Sequence, residues 1–198
     1  MSQLEYKTYL LKHKAKQNRG AKGSRDSERA KTYSAEFAFQ RKCDDLIPEF
    51  RNIEEAQKFA KKIYKSKTWQ KLWSKSIDGD VTRIFASNPP VVQKERSSGR
   101  GTAGFTDGRT VTLDSYVGFN AYVLIHELTH CLGHMHHGRS FRKTLLSMVG
   151  VFLGAEAKKA LKQEFKDRKL SFGEARKPLS YEQWMSAKER MSKLRGQQ

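Results

Sequence analysis

With 198 residues, 37% of them hydrophobic, the chain has apolar content for one modest core with polar tails. Two cysteines build no disulfide framework, which suits a reducing compartment, and no apolar run reaches the ~18 residues of a membrane span. The net charge of +18 is shared evenly among residues 1–31, 32–154 and 155–198, which argues against a single DNA-reading tail and for a general attraction to polyanions such as nucleic acid.

In chain order, residues 1–31 read as a flexible basic N-terminal arm, with 12–31 rich in Lys, Arg, Gly and Ser. Its only apolar piece, Tyr9-Leu10-Leu11, is too short for a signal peptide, so a cytoplasmic location with no membrane contact is expected. A domain over 32–170 comes next. It opens with a short helix at 33–41, and Pro48 then breaks the pattern. Asn52 with Glu55 three residues on resembles a capping box. From there Ile53, Ala56, Ala60 and Ile63 recur at helical spacing, with Leu72 and Trp73 near the end. Six lysines between Lys58 and Lys71 decorate this helix. Few aromatics interleave with them, so they read as a solvated face rather than a phosphate-binding ridge.

The period then changes. Residues 81–85 and 91–94 are short β-branched runs separated by Asn88-Pro89-Pro90, and 97–101 reads as a mobile loop. Two further runs, 102–105 and 109–113, flank Thr106-Asp107-Gly108, a strong hairpin signal.

The chemistry lies in residues 126–141. His126-Glu127-Leu128-Thr129-His130 is an HExxH string. On a helix, positions i and i+4 share a face, so His126 and His130 can hold one metal ion between them. Glu127 adjoins the first ligand and can take a proton from a metal-bound water. Five of the six histidines fall in 126–137. The flanks agree with a helix: Asn120 can cap its start, Leu124, Leu128, Cys131 and Leu132 form an apolar stripe, and Gly133 can end it. Cys131 is turned about 100° from His130 and reads as packing. A catalytic zinc takes three protein ligands plus an open position. Spacing alone offers His136, since His126-Glu127-x-x-His130-x-x-Gly133-x-x-His136 is a metzincin string. The residues C-terminal to the pair favour His137, because Phe141, Leu145, Val149 and Phe152 define a helix that His137 would enter.

The HELTH string with His137-Gly138-Arg139-Ser140-Phe141 close behind resembles the SprT-like and WLM families of zincin metallopeptidases. The resemblance extends from the helix near Ile53 to the helix near Phe165. One departure is that His130 and His137 stand closer than in most SprT-like chains. The resemblance implies an α+β zincin-like fold, with a small antiparallel or mixed sheet packed on the HExxH helix and flanking helices. It also implies Zn2+ as cofactor, a protein or peptide substrate, and a cleft edged by a strand at Ala103, Gly104 and Phe105.

Gly150 and Gly154 interrupt the pattern of Phe141, Leu145, Val149 and Phe152, and Ala157, Leu161 and Phe165 define another helix. Residues 171–198 form a basic C-terminal extension holding Pro178, with a helix expected over 181–194 and Trp184 and Met185 as anchors. Two functions compete: a zinc-dependent peptidase, including one recruited by DNA, and a basic nucleic-acid-associated protein with a structural zinc site. A fourth protein ligand, His134 or His136, would mark the second.

Overall fold

The computed structural model describes residues 5–10, 26, 28–75, 89–95, 103–115, 118–134, 136–172 and 180–195. The run at 81–85, the loop at 97–101 and residues 12–25 of the basic arm lie outside the described residues. The chain divides into two units, residues 26–174 and the two ends, 1–25 with 175–198.

The larger unit is α+β. In order it contains α1 (Arg29–Lys42), a 3-10 turn (Asp44–Leu46), α2 (Ile53–Tyr64), α3 (Lys67–Lys75), β1 (Val91–Glu95), β2 (Gly104–Thr106), β3 (Thr110–Asp114), α4 (Ala121–Cys131), α5 (Arg139–Phe152) and α6 (Ala155–Asp167). α4 is apolar nearly all the way round, which is the pattern of a buried helix. Leu124, Ile125 and Leu128 are fully enclosed, and each contributes about 1.5–3 kcal/mol by burial. Its N-cap is Asn120, whose Oδ1 accepts the Val123 N–H at 2.9 Å. Beyond its C-terminus Gly133 takes φ +91°, a conformation that favours glycine, and reverses the chain.

The sheet is mixed, in the order β1-β3-β2. β3 is its buried centre: Val111, Thr112, Leu113 and Asp114 are all shielded. β1 runs parallel to β3, pairing Val92 with Val111. β2 runs antiparallel, pairing Phe105 with Thr112 and Gly104 with Leu113. The turn between β2 and β3 forms at Asp107-Gly108, as expected. Asp107 Oδ1 accepts the N–H groups of Arg109 (2.8 Å) and Thr110 (2.7 Å), and Gly108 sits at φ +87°. Among the described residues β2 is therefore an edge strand, and it packs on α4.

Three elements differ from the sequence expectation. The first helix begins at Arg29 instead of residue 33, so residues 26–31, read as part of the arm, belong to this unit. The helix opened by Asn52 breaks into α2 and α3 at Ser66. The Ser66 hydroxyl donates to the Ile63 carbonyl and accepts the Trp69 N–H, ending one helix and starting the next. Gly150 lies within α5 rather than ending it. A Cβ there would meet Lys158 Cδ at 2.6 Å, so its smallness admits the stem of Lys158 from α6. The interruption falls at Gly154, with φ +102°.

The smaller unit pairs a helical stretch at 5–10 with α7 (Tyr181–Arg195). Tyr6 meets Tyr181 and Trp184 at ring distances of 5.2 and 5.6 Å, and Lys188 pairs with Glu5 at 3.0 Å. Among the described residues, no helix is long and apolar enough to cross a membrane.

Candidate metal centre

One helical turn separates His126 from His130 on α4, which brings their Nε2 atoms to 3.2 Å. After Gly133 the chain returns, and His137, just ahead of α5, places its Nε2 3.2 Å from that of His126. The three ligand atoms lie within 4.8 Å of one another, close enough to hold one metal ion. Four-coordinate zinc with Zn–N bonds of ~2.0–2.1 Å spaces neighbouring nitrogens ~3.3 Å apart, so the triad fits such an ion. His136 stays outside the cluster and lines the adjoining cavity. His134 turns its Nε2 to the Thr144 hydroxyl, at 2.9 Å. Among the described residues, no fourth Cys, His, Asp or Glu joins the group.

Each ring is held from behind. His126 Nδ1 lies 3.1 Å from Glu36 Oε2, on α1. His137 Nδ1 lies 2.7 Å from Asp26 Oδ2, which also accepts the His137 backbone N–H at 3.1 Å. His130 Nδ1 meets the carbonyl of His134. A carbonyl only accepts, so His130 Nδ1 carries the proton and its Nε2 lone pair faces the cluster. Such outer partners set the tautomer and orientation of metal-binding histidines. Beneath them Phe141, fully buried, packs its ring 5.0 Å from His126, 4.6 Å from His130 and 4.8 Å from His137.

A further residue secures the third histidine. Arg142 is completely buried, and its Nη1 donates to the His137 carbonyl. Its other donors reach Thr32 Oγ1 at 3.2 Å, Glu28 Oε2 at 2.9 Å, and the Ser171 carbonyl at 2.9 and 2.7 Å. The planar five-donor fork of arginine makes this multiple engagement attainable. It ties α5 to the start of α1 and to residues beyond α6.

The electrostatics arise from burial. Burial disfavours charge on His126, but the Glu36 carboxylate outweighs it and raises the pKa to about 9. His130 is pushed well below its ordinary value by burial and by the neighbouring histidines. His137 is also lowered by burial and by His126, with Asp26 opposing. Glu127 is buried beside them. Burial raises its carboxyl to about 7, against the pull of His126.

Two cavities border the cluster and share Arg29, Tyr33, Gly104 and Glu127. The expected cleft edge lies here: Ala103 and Gly104 line one cavity, Gly104 and Phe105 the other. Gly104 allows β2 its close approach to α4. A Cβ on it would meet Val123 Cγ1 at 3.0 Å, the Thr112 carbonyl at 3.1 Å and Glu127 Cγ at 3.2 Å. The opposite wall is α1. Tyr33 stands over the cluster, its ring 4.7 Å from that of His137, and the Arg29 guanidinium lies 5.2 Å from the Tyr33 ring.

Cys131 is packed away from the cluster. Its Sγ lies 3.3 Å from Thr106 Oγ1, and burial raises its thiol to about 12, which makes it inert. Asp26, Glu36 and Arg142 escaped the sequence reading. Their signal was indirect: metal-binding histidines require acceptors behind them, and α1 places Glu36 between the buried Ala35 and Phe39. No protein-family model, no curated protein and no solved structure matches the chain.

Proposed function

We propose that the protein is a zinc-dependent metallopeptidase with a zincin-like fold of the SprT-like or WLM kind. The observation that carries this reading is the convergence of three Nε2 atoms, each ring held through Nδ1, with no fourth protein ligand among the described residues. A closed structural zinc site has four protein ligands, whereas a catalytic one has three and an open position. Zinc bound by His126, His130 and His137 supplies Lewis-acid polarisation of a carbonyl and a water acidified toward pKa ~7.

The chain's own residues account for the rest. Glu127 adjoins a ligand in sequence and lines both cavities, so its carboxylate can accept a proton from the attacking water and pass it to the leaving amine. In the metal-free protein burial already holds this carboxyl above its ordinary range, which favours it as a proton acceptor over an exposed carboxylate. Beside it, β2 leaves one edge unpaired among the described residues, and an extended peptide can add there as a further strand, held through its backbone. Tyr33 and Arg29 line the same two cavities as Gly104 of that edge.

The test is Glu127→Gln in zinc-loaded protein. Metal content should stay near one ion per chain, while peptide hydrolysis falls by a factor of ~10²–10⁴. A variant that still turned over peptide at the parental rate would remove Glu127 as the base.

The net charge of +18 supports a DNA-recruited form of the same peptidase. Association with nucleic acid should weaken steeply with salt, and its absence at low salt would remove the recruiting role.

A further inference from the structure

We propose that the cavity between α1, the N-terminal half of α4 and the start of β2 is a specificity pocket. It would take one large apolar side chain, aromatic or branched aliphatic, from a residue next to the cleaved bond. The proposal rests on the peptidase reading and names what that reading leaves open, the kind of sequence attacked.

The cavity measures about 310 Å³ and adjoins both His126 and Glu127. That lies at the lower limit of small-molecule sites, room for one bulky side chain. Its apolar walls are Ala103, Val123 and the rings of Tyr33 and Tyr122, and Arg29, Glu36 and Gln40 line it as well. Tyr122 and Val123 are buried and belong to the helix that carries the metal pair, so the pocket and the reacting centre share one rigid element. The Ala103 wall is equally settled. Its carbonyl accepts the Asp114 N–H at 2.9 Å, and Gly118 lies so close that a Cβ would meet that carbonyl oxygen at 1.8 Å.

At the mouth stands Phe37. It is 59% exposed, although Ala35 and Phe39 on the same helix are fully buried. An incoming apolar side chain would cover this ring and gain its contact area. The placement also matches a peptide on β2. Side chains of an extended strand alternate, so every second residue of a chain added at this edge turns toward the helical walls. Gly104, on that edge, has no side chain to block the way.

The experiment uses the full-length, zinc-loaded protein and a random library of acetylated peptides, with cleavage sites read by mass spectrometry. Large apolar residues should be enriched at one fixed position beside the broken bond, by ~10–100-fold over glycine in kcat/KM. Cleavage with a flat profile overturns the pocket and leaves the peptidase reading intact. In Phe37→Asp, an exposed position where folding is not at stake, kcat/KM for an aromatic peptide should fall about tenfold through KM, with zinc content unchanged. An unchanged KM also overturns the proposal.

If no peptide is cleaved, the pocket is read by binding instead. N-acetyl-phenylalanine amide should shift the NMR signals of Ala103, Gly104 and Val123, while N-acetyl-glycine amide should not. That result keeps the pocket while the peptidase reading falls. Equal responses to both probes, or none, overturn it.

Discussion

Asp26 Oδ2 lies 2.7 Å from His137 Nδ1 and 3.1 Å from the His137 backbone nitrogen, so one carboxylate sets both the ring and the main chain of the third histidine. The hydrogen bonds and charge of His137 outweigh burial and hold the Asp26 carboxyl below its ordinary value, so it is ionised at neutral pH. Asp26→Asn keeps the shape but removes the charge and lets the side chain rotate. Zinc affinity should drop by a factor of ~10–100, the usual effect of losing an outer partner of a ligand. Competition with a chromophoric chelator measures it, and parental affinity in the variant would show that Asp26 is a bystander.

Metal binding should also depend on pH in a defined window. His126 in the metal-free protein has its pKa raised to about 9, and an ion at Nε2 must displace that proton. Below pH 9 the proton competes, so apparent affinity should rise about tenfold per unit between pH 7 and 9 and level off above. About one proton should be released per ion bound at pH 7.5, measurable by calorimetry in buffers of different ionisation enthalpy. Affinity that stays flat from pH 7 to 9 would contradict the pairing of His126 with Glu36.

Arg142 is the most heavily engaged buried side chain near the site. Arg142→Met preserves much of the volume but leaves the His137 and Ser171 carbonyls and the Glu28 carboxylate without this donor. Unfolding stability should fall by about 3 kcal/mol, shown as a lower denaturant midpoint at constant slope. Zinc affinity should fall with it because the His137 loop loses its anchor. A loss under about 1 kcal/mol would mean that water replaces the guanidinium at little cost.

Gly104→Ala tests the spacing between β2 and Glu127. The added Cβ would press on Val123 Cγ1, the Thr112 carbonyl and Glu127 Cγ at 3.0–3.2 Å, so the strand and Glu127 must shift by a few tenths of an ångström. Zinc content should be unchanged, while kcat falls ~10-fold or more through misplacement of the base. An unaltered kcat would show that Glu127 tolerates the displacement.

The elements of short sequence range were the legible ones. Asn120, the i and i+4 histidines, Glu127 and Gly133 all act within one helix and its ends, where backbone periodicity dictates which side chains meet. Asp107-Gly108 signalled its hairpin for the same reason. The parallel pairing of β1 with β3 could not be read this way, because β2 and its hairpin turn lie between the two strands and no short-range spacing links them. The division at Ser66 was hidden because Leu72 and Trp73 continue an apolar pattern across the break.

The helix of the His126 and His130 pair, the carboxylate beside it, the hairpin and an α+β unit around them are written locally in the chain. Those features rest on hydrogen bonds and side-chain spacings within a few residues. Long-range packing alone settled which acids stand behind the histidines, which of the adjacent pair His136 and His137 turns inward, and how closely β2 meets α4. Asp26 and Glu36 lie 111 and 90 positions from the rings they hold, and in sequence they are two acids of a polar stretch. Glu36 gains its role when α1 packs against α4, because burial removes competing water and leaves its carboxylate the His126 imidazole as partner, while Asp26 gains its own where the residues ahead of α1 meet His137.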